Sequence, residues 1–87
     1  MRSTLFALTI ALLPAAAFAG AKCEPHPKSE WIPEAEAKAR LEAQYEVRKF
    51  KIDGSCYEIY GKNKEGKKVE IYFDTKTLAI VKAEIEQ

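Results

Sequence analysis

The side chains here that could do chemistry are few: two cysteines, a single histidine, and scattered carboxylates and aromatics. Cys23, His26 and Cys56 would make three metal ligands. Structural zinc wants four, and one histidine supports such a site poorly. Neither a Cys-x-x-Cys redox pair nor a Cys-x-x-Cys-His haem attachment motif occurs. Nucleophilic catalysis needs a base held beside its nucleophile, with an oxyanion site in reach. His26 is the one near-neutral base, and it sits between Pro25 and Pro27, where an exposed loop histidine is expected. Phosphate-binding glycine loops are missing as well. No catalytic, metal-ligating or cofactor-binding residue is assigned, and enzyme activity is not expected. Glu58 and Glu70 are candidate cross-strand neighbours, but lysines surround them, so an exposed, ion-paired sheet face is the ordinary expectation.

What the cysteines do depends on the compartment. Met1-Arg2 supplies one positive charge, "TLFALTIALL" (residues 4–13) is an uncharged, mostly apolar run, and Ala17-Phe18-Ala19 is a small-x-small cleavage site. These are the three regions of a secretory signal peptide over residues 1–19. The run is shorter than the roughly 20 residues of a membrane span, and no stop-transfer segment follows, so no stable membrane insertion of the mature chain is expected. Lys22 before Cys23 rules out a lipobox. The mature chain is therefore expected in the periplasm or secreted. There Cys23 and Cys56 are expected to form a disulfide that staples a small domain and tethers an extended lead-in, residues 20–32.

Removing Arg2 lowers the basic residues from 14 to 13, equal to the 13 acidic ones. No global basic field remains to drive nucleic-acid binding. A protein contact is the better use of the surface. Trp31, Tyr60 and Tyr72 are the candidate partner-binding aromatics, since interfaces favour such side chains. Lys62, Lys64, Lys67 and Lys68 crowd one hairpin tip, where a lysine-rich turn is more simply a solubilising feature.

The elements that would position these groups follow from periodicity. Pro33 suits the first position of a helix. "PEAEAKARLEAQ" (33–44) is rich in helix formers, with Glu34/Lys38 and Glu36/Arg40 at the favourable i,i+4 order. Its apolar stripe is thin and leans on Ala37, Leu41 and Tyr45. The period then changes to alternation. "VRKFKI" (47–52) is a strand, with a bulge or the end of the helix-to-strand loop expected near Arg48. Asp53-Gly54 signals a tight hairpin turn. "CYEIYGK" (56–62) is the second strand and "KVEIYF" (68–73) the third, with Val69, Ile71 and Phe73 inward and Glu70 and Tyr72 outward. Gly66 suits a left-handed position in the turn between them, and "LAIVKAEI" (78–85) is the fourth strand. The fold class expected is α+β, one N-terminal helix packed on a four-stranded antiparallel β-meander over residues 33–87.

"DGSCYEIYG" (53–61) and "GKKVEIYFDTKT" (66–77), with the helix before them, resemble the small secreted PepSY-domain proteins over nearly all of the mature chain. The first stretch is similar to that family's Gly-Cys-Tyr-Glu strand, the second to its Gly-x-x-Val-Glu-x-x-x-Asp strand and turn. Where the family commonly closes the last turn with Asp-Pro-x-Thr-Gly, Thr75 and Leu78 hold the Pro and Gly positions here. Gln44 also runs directly into Tyr45, where the family commonly has a glycine. The resemblance implies a domain also found in peptidase propeptides, where it restrains or chaperones the protease. The expected function is a non-enzymatic, secreted or periplasmic interaction module that modulates a peptidase or another envelope protein. The alternative is an accessory of an envelope redox or metal/haem system that holds its ligand through His26 and the aromatics.

Overall fold

The computed structural model describes residues 20–86. The expected signal peptide lies outside them. Helix α1 spans Glu34–Glu42. Pro33 is extended (φ −53°, ψ 142°) and stands just outside as the N-cap, one position earlier than its sequence suggests. Its carbonyl still accepts from Ala37 N–H at 2.8 Å. Glu34 and Glu36 meet the positive end of the helix dipole, and Glu36 pairs with Arg40. Ala37 and Leu41 are the helix residues that are buried, so the expected thin stripe is what packs.

Four strands follow, β1 (Glu46–Asp53), β2 (Cys56–Lys62), β3 (Lys68–Asp74) and β4 (Ile80–Ile85), all antiparallel and in sequence order across one open sheet. The α+β architecture is as expected. β1 carries a bulge between Val47 and Lys49. Gly61 lies opposite, and a Cβ there would stand 1.9 Å from the Glu46 carbonyl oxygen, so the bulge requires glycine. The first hairpin turns one residue later than expected. Asp53 pairs with Cys56, which leaves Gly54 (φ 62°) and Ser55 at its centre. Positive φ at the first central position is the demand of a type II′ turn. In the second hairpin Gly66 takes φ 82°, and Asn63 Oδ1 accepts from the amides of Glu65 and Lys67.

β4 begins at Ile80, two residues after the start its apolar run suggests. Asp74 Oδ2 accepts from the amides of Lys76 and Thr77 and from the Thr77 hydroxyl, and these bonds hold the chain in a turn. Leu78 then takes φ 62°, the left-handed backbone of the position where a glycine would be easier. A second bulge lies between the Tyr72–Lys82 and Phe73–Ile80 pairs.

The core sits between α1 and one face of the sheet. Tyr57, Ile59, Val69, Ile71 and Phe73 pack there with Ala37 and Leu41. The lead-in wraps the end of the sheet where β2 starts and β3 finishes. It begins near Tyr72, on the face away from α1, where a Cβ at Gly20 would stand 3.6 Å from the Tyr72 ring. The Cys23–Cys56 disulfide follows, with Cα atoms 5.4 Å apart. A 3-10 turn at Lys28–Glu30 leads to Trp31, edge-on to Tyr57 on the core side at 5.5 Å. Ile32 N–H finally donates to Thr75 O at 2.8 Å.

Candidate functional site

Strand alternation sends Glu58 and Tyr60 of β2, and Glu70 and Tyr72 of β3, to the face opposite α1. The register sets two rows across the sheet. One is Lys51, Glu58, Tyr72 and Lys82; the other is Lys49, Tyr60, Glu70 and Glu84. Acid and phenol thus alternate like a checkerboard at the centre, with lysines at three of the four corners.

The expectation of exposed carboxylates and an exposed Tyr72 does not hold. Glu58 is 1% exposed and Tyr72 6%, while Tyr60 keeps 37%. Parity turns Tyr72 outward, but large neighbours on adjoining strands and the lead-in at Gly20 close over this part of the face. Tyr72 O–H donates to Glu70 Oε2 at 2.9 Å. Glu58 Oε1 lies 3.9 Å from Lys51 Nζ, beyond hydrogen-bond length, and its Oε2 is buried without a hydrogen-bond partner.

The electrostatics explain how a carboxyl survives there. Burial pushes the Glu58 carboxyl above its ordinary range, and the neighbouring Glu70 carboxyl pushes it further. Glu58 in turn draws Glu70 down against its own partial burial, helped by the Tyr72 and Tyr60 hydroxyls and the charge of Lys82. The two carboxyls are thus driven apart, Glu58 upward and Glu70 downward. Tyr60 is pushed up to about 12, first by its hydrogen bond with Glu58, and Tyr72 is raised by burial and then by Glu70. Both phenols stay neutral at physiological pH. The cluster thus joins two carboxyls of opposite shift to two phenols.

Trp31 does not join this face. It packs on Tyr57, takes the Lys28 ammonium 4.9 Å from its ring centroid and donates its indole N–H to the His26 carbonyl. The three candidate aromatics are thus split between the two sides of the sheet. Tyr60 is the exposed one on the open face, with the Lys49 and Lys51 ammonium groups 5.8 and 6.0 Å from its ring centroid. The tip lysines Lys64, Lys67 and Lys68 are exposed, as a solubilising turn requires.

His26 is not the exposed loop histidine its prolines suggest. Its Nε2 lies 2.9 Å from Asp74 Oδ1, and both side chains are only 13% exposed. Burial alone would raise the Asp74 carboxyl. The bonds from His26, from the Thr77 and Lys76 amides and from the Thr77 hydroxyl hold it below the usual range instead. Glu24, His26 and Asp74 bring one ligand atom each within 4.8 Å of one another. Both Asp74 oxygens already take part in hydrogen bonds, and the His26–Asp74 pair serves as a latch for the lead-in. With Cys23 and Cys56 joined, the three-ligand metal set of the sequence does not exist.

The His26–Asp74 contact, between residues far apart in sequence, left no local signal. The acid–tyrosine cluster did leave one: Glu58, Tyr60, Glu70 and Tyr72 all fall on one parity of adjacent strands. Lysine-rich surroundings masked it by suggesting solvent.

A family model described as "Peptidase propeptide and YPEB domain" matches residues 3–84. No curated protein and no solved structure matches the chain.

Proposed function

The chain belongs to the peptidase propeptide and YPEB domain family, and on that premise we propose that it is a non-enzymatic, extracytoplasmic module that binds a peptidase and modulates it. The family match over residues 3–84 carries this reading. The chemistry of the site supports it. The one histidine is engaged by Asp74, and both thiols are consumed in a disulfide, which leaves acids and phenols suited to recognition rather than to bond cleavage. The disulfide fits an oxidising compartment, and residues 1–19 are the signal peptide that would take the chain there. Among the described residues no helix is long and apolar enough to cross a membrane.

The docking surface in this reading is the open sheet face around Tyr60, an exposed aromatic flanked by Lys49 and Lys51. Tyr72 and the Glu58–Glu70 pair lie beneath and fix its position. Trp31, on the other side, belongs to a second contact or to packing alone.

Affinity capture tests the reading. The mature protein is immobilised and offered the periplasmic and secreted proteins of the producing cell, and retained partners are identified by mass spectrometry. A peptidase should be retained saturably by the wild type and about tenfold more weakly by Tyr60→Ser, since interface aromatics often dominate binding. Retention of no peptidase at all would overturn the proposal. Equal retention by Tyr60→Ser would move the contact off this face.

A further inference from the structure

The open face of the sheet is electrically divided along Tyr60. On the side of β1 and β2 stand Arg48, Lys49, Lys51 and Lys62, with Lys68 at the start of β3. The acids on that side are engaged or withdrawn. Glu46 lies 3.5 Å from Arg48 Nε, and Glu58 is buried and pushed toward its neutral form. Beyond Tyr60, toward β4, stand Glu70, Glu84 and Glu86. Lys82 on that side already meets Gly20 O and Glu84. Basic and acidic residues balance over the mature chain, so this division comes from placement and not from composition.

Two lysines hold the least favourable positions. Lys62 ends β2, Lys68 begins β3, and the two are register partners. Like charges directly opposite one another across antiparallel strands destabilise a sheet. On its other side Lys62 has Glu46 as register partner, but Glu46 turns to Arg48. Lys62 is half-buried, and neither lysine makes an ion pair among the described residues. Beside them opens a hollow of about 270 Å³ lined by Arg48, Tyr60, Gly61, Lys62, Lys68 and Val69. Three cations therefore border one concavity next to the exposed Tyr60 ring. An anion seated there would relieve the opposed pair and give the half-buried Lys62 ammonium a partner.

We infer that this hollow receives an acidic side chain of the bound protein, held among Arg48, Lys62 and Lys68 with its neighbouring residues against Tyr60. The inference rests on the open face being the peptidase-docking surface and adds what the partner presents there, a short acidic segment. Charge complementarity supplies the selectivity. An extended polyanion, such as a nucleic acid or an anionic membrane, matches the face less well. Glu70, Glu84 and Glu86 line the adjoining hollow that shares Tyr60 and Lys68, and they would repel it.

Amide NMR of the oxidised domain, titrated with acetyl-tetraglutamate amide at low and then at raised salt, tests this without any peptidase. The amides of Gly61, Lys62 and Lys68 should shift saturably, and the midpoint should rise several-fold as salt screens the ion pairs. Lys62→Ala/Lys68→Ala should raise the midpoint about tenfold. Lys64→Ala/Lys67→Ala removes the same charge from the turn and should leave the midpoint near the wild-type value. Thermal melts show that both variants fold, and loss of the opposed pair should leave the first no less stable than the wild type. Absence of saturable shifts at these residues, or equal weakening in the two double variants, would overturn the inference. So would cosedimentation with phosphatidylglycerol vesicles that Lys62→Ala/Lys68→Ala abolishes, which would assign the hollow to a lipid headgroup. Peptidase capture by the same variants separates the two readings. Capture unchanged by Lys62→Ala/Lys68→Ala overturns this inference alone, whereas tetraglutamate binding with no peptidase captured overturns the proposed function alone.

Discussion

Glu58 is the residue whose behaviour most departs from its surroundings in sequence. A carboxyl among Lys49, Lys51 and Lys62 reads as solvated, yet it is buried, with one oxygen unpartnered and its pKa raised by burial and by Glu70. A folded pKa above the unfolded value means that the native state holds the proton more tightly. Stability from this group is therefore complete below the ordinary glutamate range and is lost as pH rises through the raised value. Glu70 is shifted downward, so its contribution is present above the ordinary range and is lost only as pH falls through its lowered value. Glu58→Gln keeps the shape while removing the ionisation. Urea unfolding should find the variant and the wild type alike near pH 4.5. By pH 9 the variant should be more stable by about 1 to 3 kcal/mol, the cost of an unsatisfied buried acceptor. Parallel pH profiles would show that Glu58 ionises freely despite its burial. Parity alone placed Glu58 and Glu70 on one face; their burial was not legible, because it depends on what closes over that face.

Among the elements, the turn from β3 to β4 shows most clearly how local residues govern a boundary. The apolar run from Leu78 suggested a strand start, and both strand partners and faces were legible from period-2 alternation in "KVEIYF" and "CYEIYGK". The start moved to Ile80 because Asp74 accepts three hydrogen bonds within the turn and Leu78 adopts φ 62°. A side chain in that region costs about 1 to 2 kcal/mol relative to ordinary backbone, while half-buried Leu78 gains packing against the core. The two effects are of similar size, which predicts an inversion of the usual order. Leu78→Ala loses packing and keeps the strain, whereas Leu78→Gly loses packing and relieves it. Chemical denaturation should find Leu78→Gly the more stable of the two by about 1 kcal/mol. The opposite order would mean the turn tolerates a Cβ at no cost. The parity mismatch between Val47 and Phe50 left a bulge or a loop end open near Arg48, and the structure shows the bulge, opposite Gly61. The one-residue offset of the first hairpin was not legible, because Asp-Gly and Gly-Ser both satisfy a tight turn.

At the scale of the molecule, one helix on a four-stranded sheet would be a thin domain without the lead-in that binds both its faces. The Cys23–Cys56 bridge, the His26–Asp74 pair and the Ile32–Thr75 bond fasten residues 20–32 around the sheet end. Oxidising compartment and cysteine count made the bridge legible; the path of the wrap was not, since three-dimensional closure leaves no periodicity. Reduction should lower the unfolding free energy by about 2 to 5 kcal/mol, and Cys23→Ser or Cys56→Ser should each reproduce most of that loss. Guanidinium titrations with and without reductant measure it, and unchanged midpoints would mean the remaining contacts hold the wrap alone. The family to which the chain belongs points to a peptidase as the partner. The central claim is tested most directly by titrating the oxidised domain into the envelope peptidase recovered with it and following hydrolysis of a protein substrate. The account predicts a saturable change in proteolysis that reaches its limit near equimolar domain and is weakened about tenfold by Tyr60→Ser. Proteolysis that stays constant through a large excess of folded domain would contradict it.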